Sequence, residues 1–178
     1  MKKAILLLAV SMFLCGFVCD NNPTGPGSVT PTDADVYHAV LSYRLKDSKM
    51  SRVVLGGNTR NHLDQYEDAF DLLHNKIVEL QKTTITDYLM KNATSIRLQD
   101  ISGPENVDII LEDPETRQTS VGFTIGLSRV GYNKYSSQAI VTTSEFSGPL
   151  YGTWQLYLLR RVKNSWVVEK EHILVIFS

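Results

Sequence analysis

Two cysteines, four histidines, one group of acids and a few serines are the side chains here that could do chemistry, and spacing decides whether they do. Cys15 and Cys19 both stand at the end of an N-terminal apolar run, and no other thiol follows. Disulfides, thiol catalysis and Cys-ligated zinc or iron-sulfur centres are thereby excluded from the rest of the chain. His38, His62, His74 and His172 make neither a His-x-x-x-His nor a His-Glu-x-x-His spacing, so nothing aims two imidazoles at one metal. Each reads as a surface or internally bonded histidine. Asp108, Glu112 and Asp113 lack the fixed oxygen steps and the glycine of a calcium loop and read as a solvated strand end. Ser147 in Ser147-Gly148-Pro149 is a turn serine outside any Gly-x-Ser-x-Gly elbow. Gly122-Phe123-Thr124-Ile125-Gly126 does not give the Gly-x-Gly-x-x-Gly turn that cradles a pyrophosphate. The pattern thus assigns no catalytic residue, no metal ligand and no cofactor.

One polar pair stands apart. Arg129 and Asn133 bracket Gly131, a residue free to take the positive φ of a turn at a strand end. If both face a pocket, Arg129 can grip a carboxylate or phosphate bidentately, which makes Arg129 and Asn133 the candidate ligand-binding residues. The competing reading has Arg129 held by an internal acid or carbonyls and Asn133 satisfying the turn.

The elements that must position these residues begin after an unusual N-terminus. Met1-Lys2-Lys3 is a positive start, Ala4 to Leu14 is an apolar stretch of signal-peptide length, and even to Val18 it falls short of a spanning helix. A cysteine at this point, followed by Asp20-Asn21-Asn22-Pro23-Thr24-Gly25-Pro26-Gly27-Ser28, resembles a bacterial lipoprotein signal and its spacer. That resemblance implies residues 1–18 as a signal peptide, acylation of Cys19, and a flexible tether over 19–31, with Cys15 the other processing site. Several acyl chains would hold a soluble domain on a membrane. The expected location is the cell envelope, lipid-anchored, with a periplasmic or secreted protein as the alternative.

The remaining residues, 32–178, suit one domain able to bury its own core. Without Lys2 and Lys3, sixteen basic residues face 19 acidic ones. Such mild acidity argues against a nucleic-acid partner, which calls for a basic stripe.

Val36, Tyr37, Val40, Leu41 and Leu45 share a helical face, which predicts a helix over Thr32 to Leu45 capped by Thr32. Tyr66, Phe70, Leu73, Ile77 and Leu80 step by four, three, four and three, predicting one long helix from Asp64 to about Lys82. A short helical turn is expected from Thr86, as cap, to Asn92. Strands are expected at Arg52–Leu55, Val107–Leu111, Val121–Val130, Gln138–Thr143, Trp154–Val162 and Trp166–Phe177, with Lys163-Asn164-Ser165 turning the last pair. Period two places Trp166 with Val168 on the buried side.

Five stretches carry a family resemblance: Ile85-Thr86-Asp87-Tyr88-Leu89-Met90-Lys91-Asn92, Leu127-Ser128-Arg129-Val130-Gly131-Tyr132-Asn133, Gln138-Ala139-Ile140-Val141, Tyr157-Leu158-Leu159, and the Asn164-Ser165-Trp166 hairpin. They resemble an uncharacterised family of bacterial secreted proteins and lipoproteins with a Ser-Arg-Val-Gly-(Phe/Tyr)-Asn strand end and a Gln-Ala-(Leu/Ile)-Val strand. The family implies export and no known activity. Members often carry cysteines near the stretch that here reads Phe146-Ser147-Gly148-Pro149, so no thiol role transfers.

The expected class is α+β, with N-terminal helices packed on one face of a C-terminal antiparallel β-meander. The expected function is a non-enzymatic module that binds a protein or small-molecule partner; the alternative is an envelope hydrolase with dispersed catalytic residues.

Overall fold

Fifteen residues, Pro31–Leu45, form α1. Its stripe of Val36, Tyr37, Val40, Leu41 and Leu45 is buried along its whole length, as the spacing requires of a helix laid on a core. The computed structural model describes residues 31–113, 123–147 and 151–177. The signal segment, Cys15, Cys19 and the tether up to residue 30 lie outside the described residues. Helix α1 starts at Pro31, whose missing N–H suits a first helical position, so Thr32 sits inside the first turn and does not cap it.

Among the described residues seven strands build one sheet. They are β1 (Arg52–Leu55), β2 (Asp108–Leu111), β3 (Phe123–Leu127), β4 (Gly131–Tyr132), β5 (Gln138–Ser147), β6 (Gly152–Val162) and β7 (Ser165–Phe177). Their order is β2-β1-β3-β5-β6-β7, with β4 paired to β5. From β3 onward every pairing is antiparallel, but β1 runs parallel to both β2 and β3. The class is mixed α+β with a mostly antiparallel sheet. β5 to β7 form a meander, and the β6–β7 link turns through Lys163 at φ 56°.

The long helix expected from Asp64 to Lys82 is two short ones, α2 (Ala69–Lys76) and α3 (Lys82–Asn92). Ile77 leaves helical space at φ −132°, ψ 99°; it opens a β-branched pair with Val78, which weakens helical preference. The start of α3 is supplied from the sheet. Gln138 Oε1 accepts from the Gln81 N–H at 2.9 Å and from the Thr84 hydroxyl at 2.8 Å, so a remote side chain does what a local cap would do. Thr86 is therefore interior, and its hydroxyl donates to the Lys82 carbonyl.

Alternation along the strands sends neighbours to opposite faces, and both faces are covered. Ala139, Val141, Tyr157, Leu159 and Trp166 cluster with the α1 stripe. Ile140, Leu156 and Leu158 cluster with Leu73, Ile77, Ile85 and Tyr88 from α2 and α3. The expectation that the helices cover a single face is thus corrected. A ten-residue central strand such as β5, buried from Ala139 to Glu145, needs an apolar or bonded neighbour on each side.

Candidate binding groove between α1 and β7

Residues flanking the buried stripe of α1 form one wall of a groove, and the first residues of β7 form the other. Asp35, His38, Ala39, Ser42 and Tyr43 face the run from Asn164 to Val168 across about 400 Å³. That wall is made by the turn residue Asn164 and the first four residues of β7. Trp166 closes the base. It is 7 % exposed, its ring centroid lies 5.7 Å from that of Tyr132, and the Arg161 guanidinium sits 6.0 Å from it. Tyr132 is held in turn by its hydroxyl, which donates to Asp33 Oδ1 at 2.7 Å. Burial, followed by the Asp33 charge, drives that phenol far above its ordinary range.

His38 is the one imidazole in the groove, and its ring nitrogens lie 3.4 Å from Ser42 Oγ and 3.3 Å from Ser102 Oγ. A base that activates a serine is oriented by a third group of opposite character. Among the described residues both contacts of this exposed ring are serine hydroxyls, so no carboxylate orients it.

A second pocket of about 370 Å³, sharing Tyr43 with the first, is lined by Arg44, Lys46, Asp47, Ser48 and Glu171. Beneath it lies a polar layer. Arg44 donates bidentately to Glu145 at 2.6 and 2.7 Å; the carboxylate is 5 % exposed and the arginine 37 %. This bond, more than the charge itself, raises the Arg44 pKa. The Tyr157 hydroxyl donates to Gln155, and Tyr43 packs edge-on against the Tyr157 ring at 6.2 Å. Burial first, then Glu171 and Glu145, pushes the Tyr157 phenol well up. The Tyr157 phenol is therefore not poised to give up its proton near neutrality.

Arg129 and Asn133 lie elsewhere, and the structure ties both into the fold. Arg129 Nη1 donates to the Lys91 carbonyl at 3.1 Å and to Thr94 Oγ1 at 3.0 Å, where α3 ends. A cation bonded to the last carbonyls is a helix C-terminal anchor. Asn92 completes the clasp, bonding the Arg129 N–H and carbonyl at 2.8 and 3.0 Å. Asn133 Oδ1 accepts from the Ser137 and Gln138 N–H groups at 2.8 and 3.1 Å, and Nδ2 donates to Gln81 and Ser137. Neither residue lines the groove.

No family model, curated protein or solved structure matches this chain. Among the described residues no set of three or more His, Cys, Asp or Glu side chains could hold a metal ion, and no helix is long and apolar enough to cross a membrane. His62 lies on the opposite face, buried, with Nδ1 2.8 Å from Thr142 Oγ1 and its ring 5.6 Å from Trp154.

The residues that sequence reasoning missed are Arg44, Glu145, Gln155 and Tyr157. A signal did exist. Thr143 and Glu145 continue the parity of Ala139 and Val141, and Thr153 and Gln155 that of Tyr157 and Leu159, so polar residues occupy apolar phase.

Proposed function

We propose that this chain is an exported cell-envelope protein, lipid-anchored at Cys19, whose domain binds a partner without catalysing a reaction. Membership of the secreted and lipoprotein family named above belongs to the same reading. One observation carries the binding half: the α1–β7 groove is open, while the charged groups beneath it are held in internal bonds. Catalysis needs a titratable group left available and tuned near the working pH. Here Arg44, Glu145 and Tyr157 are committed to each other or to their neighbours. In this reading α1 packs on the C-terminal meander, and α1 and β7 form the groove's walls.

Two experiments test the proposal. A clickable fatty acid fed to expressing cells is expected to label the wild type and leave Cys19→Ser unlabelled; equal labelling of both ends the anchoring half. A photo-crosslinking benzophenone residue placed at Ser42 in those cells is expected to trap a discrete adduct. The same residue at Glu67, which is exposed and precedes α2, should trap none. No adduct at Ser42, or one at both positions, ends the binding half.

A further inference from the structure

Two hairpin tips meet at one end of the sheet. Residues 133–137 join β4 to β5, and Lys163-Asn164 joins β6 to β7. The Arg161 N–H donates to the Ser137 carbonyl at 2.9 Å and ties the two tips together. Helix α1 begins at this same end: Asp33 accepts from the Tyr132 hydroxyl, and Asp35 and Asn164 line one pocket. The chain before α1 therefore enters here, and Cys19 stands about a dozen residues back. Such a length spans at most about 40 Å even fully extended. An acyl anchor at Cys19 keeps this end of the domain within that distance of its bilayer.

Charge and polarity at this end suit phospholipid headgroups. Residues 133–137 and 160–165 carry Lys134, Arg160, Arg161 and Lys163 and no acid. Glu169 pairs with Arg160, which leaves Lys134, Arg161 and Lys163 exposed and without an ion-pair partner among the described residues. Lys82, also exposed, follows Gln81, whose Oε1 accepts from Asn133 Nδ2 at 3.1 Å. The acids here are Asp33, half-buried beneath the Tyr132 hydroxyl, Asp35 in the groove, and Asp87, which is paired with Lys91. Cations are thus in excess locally, in a chain with 19 acidic residues to 18 basic ones. Two large apolar side chains stand among them, Tyr135 at 78 % exposure and Val162 at 49 %. Tyrosine favours the membrane–water interface, and each cation beside an anionic bilayer is worth about fivefold in affinity.

We infer that the two hairpin tips are a membrane-contact surface, placing Tyr135 and Val162 in the headgroup layer of an anionic phospholipid bilayer while Lys134, Arg161 and Lys163 meet the phosphates. The inference goes beyond partner binding and rests only on the anchoring half of the function proposed above. An anchor alone leaves the domain free to turn on its attachment; the tips select the end that faces lipid.

The test uses the full chain, purified from expressing cells and reconstituted in vesicles, with a coumarin-bearing amino acid at Tyr135 and a headgroup-nitroxide phospholipid as quencher. The same fluorophore at Asp47, exposed past the far end of α1 and about 20 Å along the helix, is the control. In phosphatidylcholine with about one-third phosphatidylglycerol, quenching at Tyr135 is expected to exceed that at Asp47 about threefold. It should fall to the control's level in phosphatidylcholine alone or in about 0.5 M salt. Lys134→Gln combined with Lys163→Asn removes two cations, and asparagine tolerates the φ of 56° at position 163. This double variant should lower the ratio of docked to undocked domain about thirtyfold. The lipid and salt comparisons need no charge variant and stand even if that variant misfolds. Equal quenching at Tyr135 and Asp47, equal quenching in the two lipid compositions, or quenching unmoved in a folded double variant would overturn the inference. Vesicle flotation reports the anchor separately. Protein that floats with the vesicles but is not quenched at Tyr135 defeats this inference alone; protein that neither floats nor takes up fatty acid defeats the anchoring beneath it.

Discussion

His62 sets an acid limit on the fold whose size follows from its surroundings. The imidazole is 3 % exposed, with Nδ1 bonded to Thr142 Oγ1 at 2.8 Å and its ring against Trp154. Tyr88 shares the same threonine oxygen at 2.8 Å, and Nε2 is buried without a hydrogen-bond partner among the described residues. Burial, with a smaller contribution from the Arg60 charge, lowers its pKa from 6.5 to about 4. Between those values the unfolded chain binds a proton that the folded protein refuses. Stability contributed by the neutral ring is complete above 6.5 and falls as pH drops toward 4. The loss works out to about 2 kcal/mol by about pH 5, or roughly 1 M in urea midpoint. Urea unfolding at about pH 8 and about pH 5, for wild type and His62→Phe, isolates the effect from other titrating groups. His62→Phe keeps an aromatic ring beside Trp154 and carries no proton. The wild type should lose about 2 kcal/mol more than the variant over that interval. Equal losses in both proteins would refute the reasoning, whatever their absolute stabilities.

Trp166→Ala should cost about 3 to 5 kcal/mol, because it empties a buried site shared with Tyr132 and the α1 cluster. Denaturant unfolding followed by Trp154 fluorescence checks this, and an unchanged midpoint would move Trp166 out of the core. Gly131→Ala should destabilise by about 1 to 3 kcal/mol, since a Cβ there would stand 2.4 Å from Tyr88 Cβ and 2.6 Å from its Cα. Gly56→Ala is the control, as its nearest neighbour would be 3.8 Å away; thermal melts should separate the two variants clearly.

What could be read from the chain was burial, more than continuity or connection. The α1 stripe and the inward parity of Trp166 were legible because periodicity reports directly which face is dry. Leu73, Ile77 and Leu80 are likewise buried as their spacing demands, yet the helix breaks between them. Apolar phase is maintained across a break when both fragments lie on one surface, and the Gln138 bond that starts α3 comes from 57 residues away. The parallel placement of β1 left no local trace either, since it depends on partners around Asp108 and Thr124. At the groove, Ser42 and Asp35 looked like ordinary exposed helix residues, and only the docking of β7 alongside gave them a wall to face. Arg129 and Asn133 were conspicuous for a structural reason: polar groups that clasp a helix end and a turn resemble polar groups awaiting a ligand until their partners are known.

The insertion of β1 between β2 and β3 has a consequence for how the chain reaches this state. Strands β6 and β7 meet across the two residues Lys163 and Asn164, whereas Val54 meets Thr124 only after a loop of about seventy residues has closed. Loop closure grows costlier by (3/2)RT ln n, a difference of about 3 kcal/mol between these pairings. The meander can therefore assemble by itself, from neighbours, while the strand at the middle of the other half must arrive from afar. Until it does, Leu55 and Ile125 remain uncovered and two strand edges stand open. Non-local pairing of this kind slows folding and lengthens the window in which an unfinished chain can pair wrongly with another.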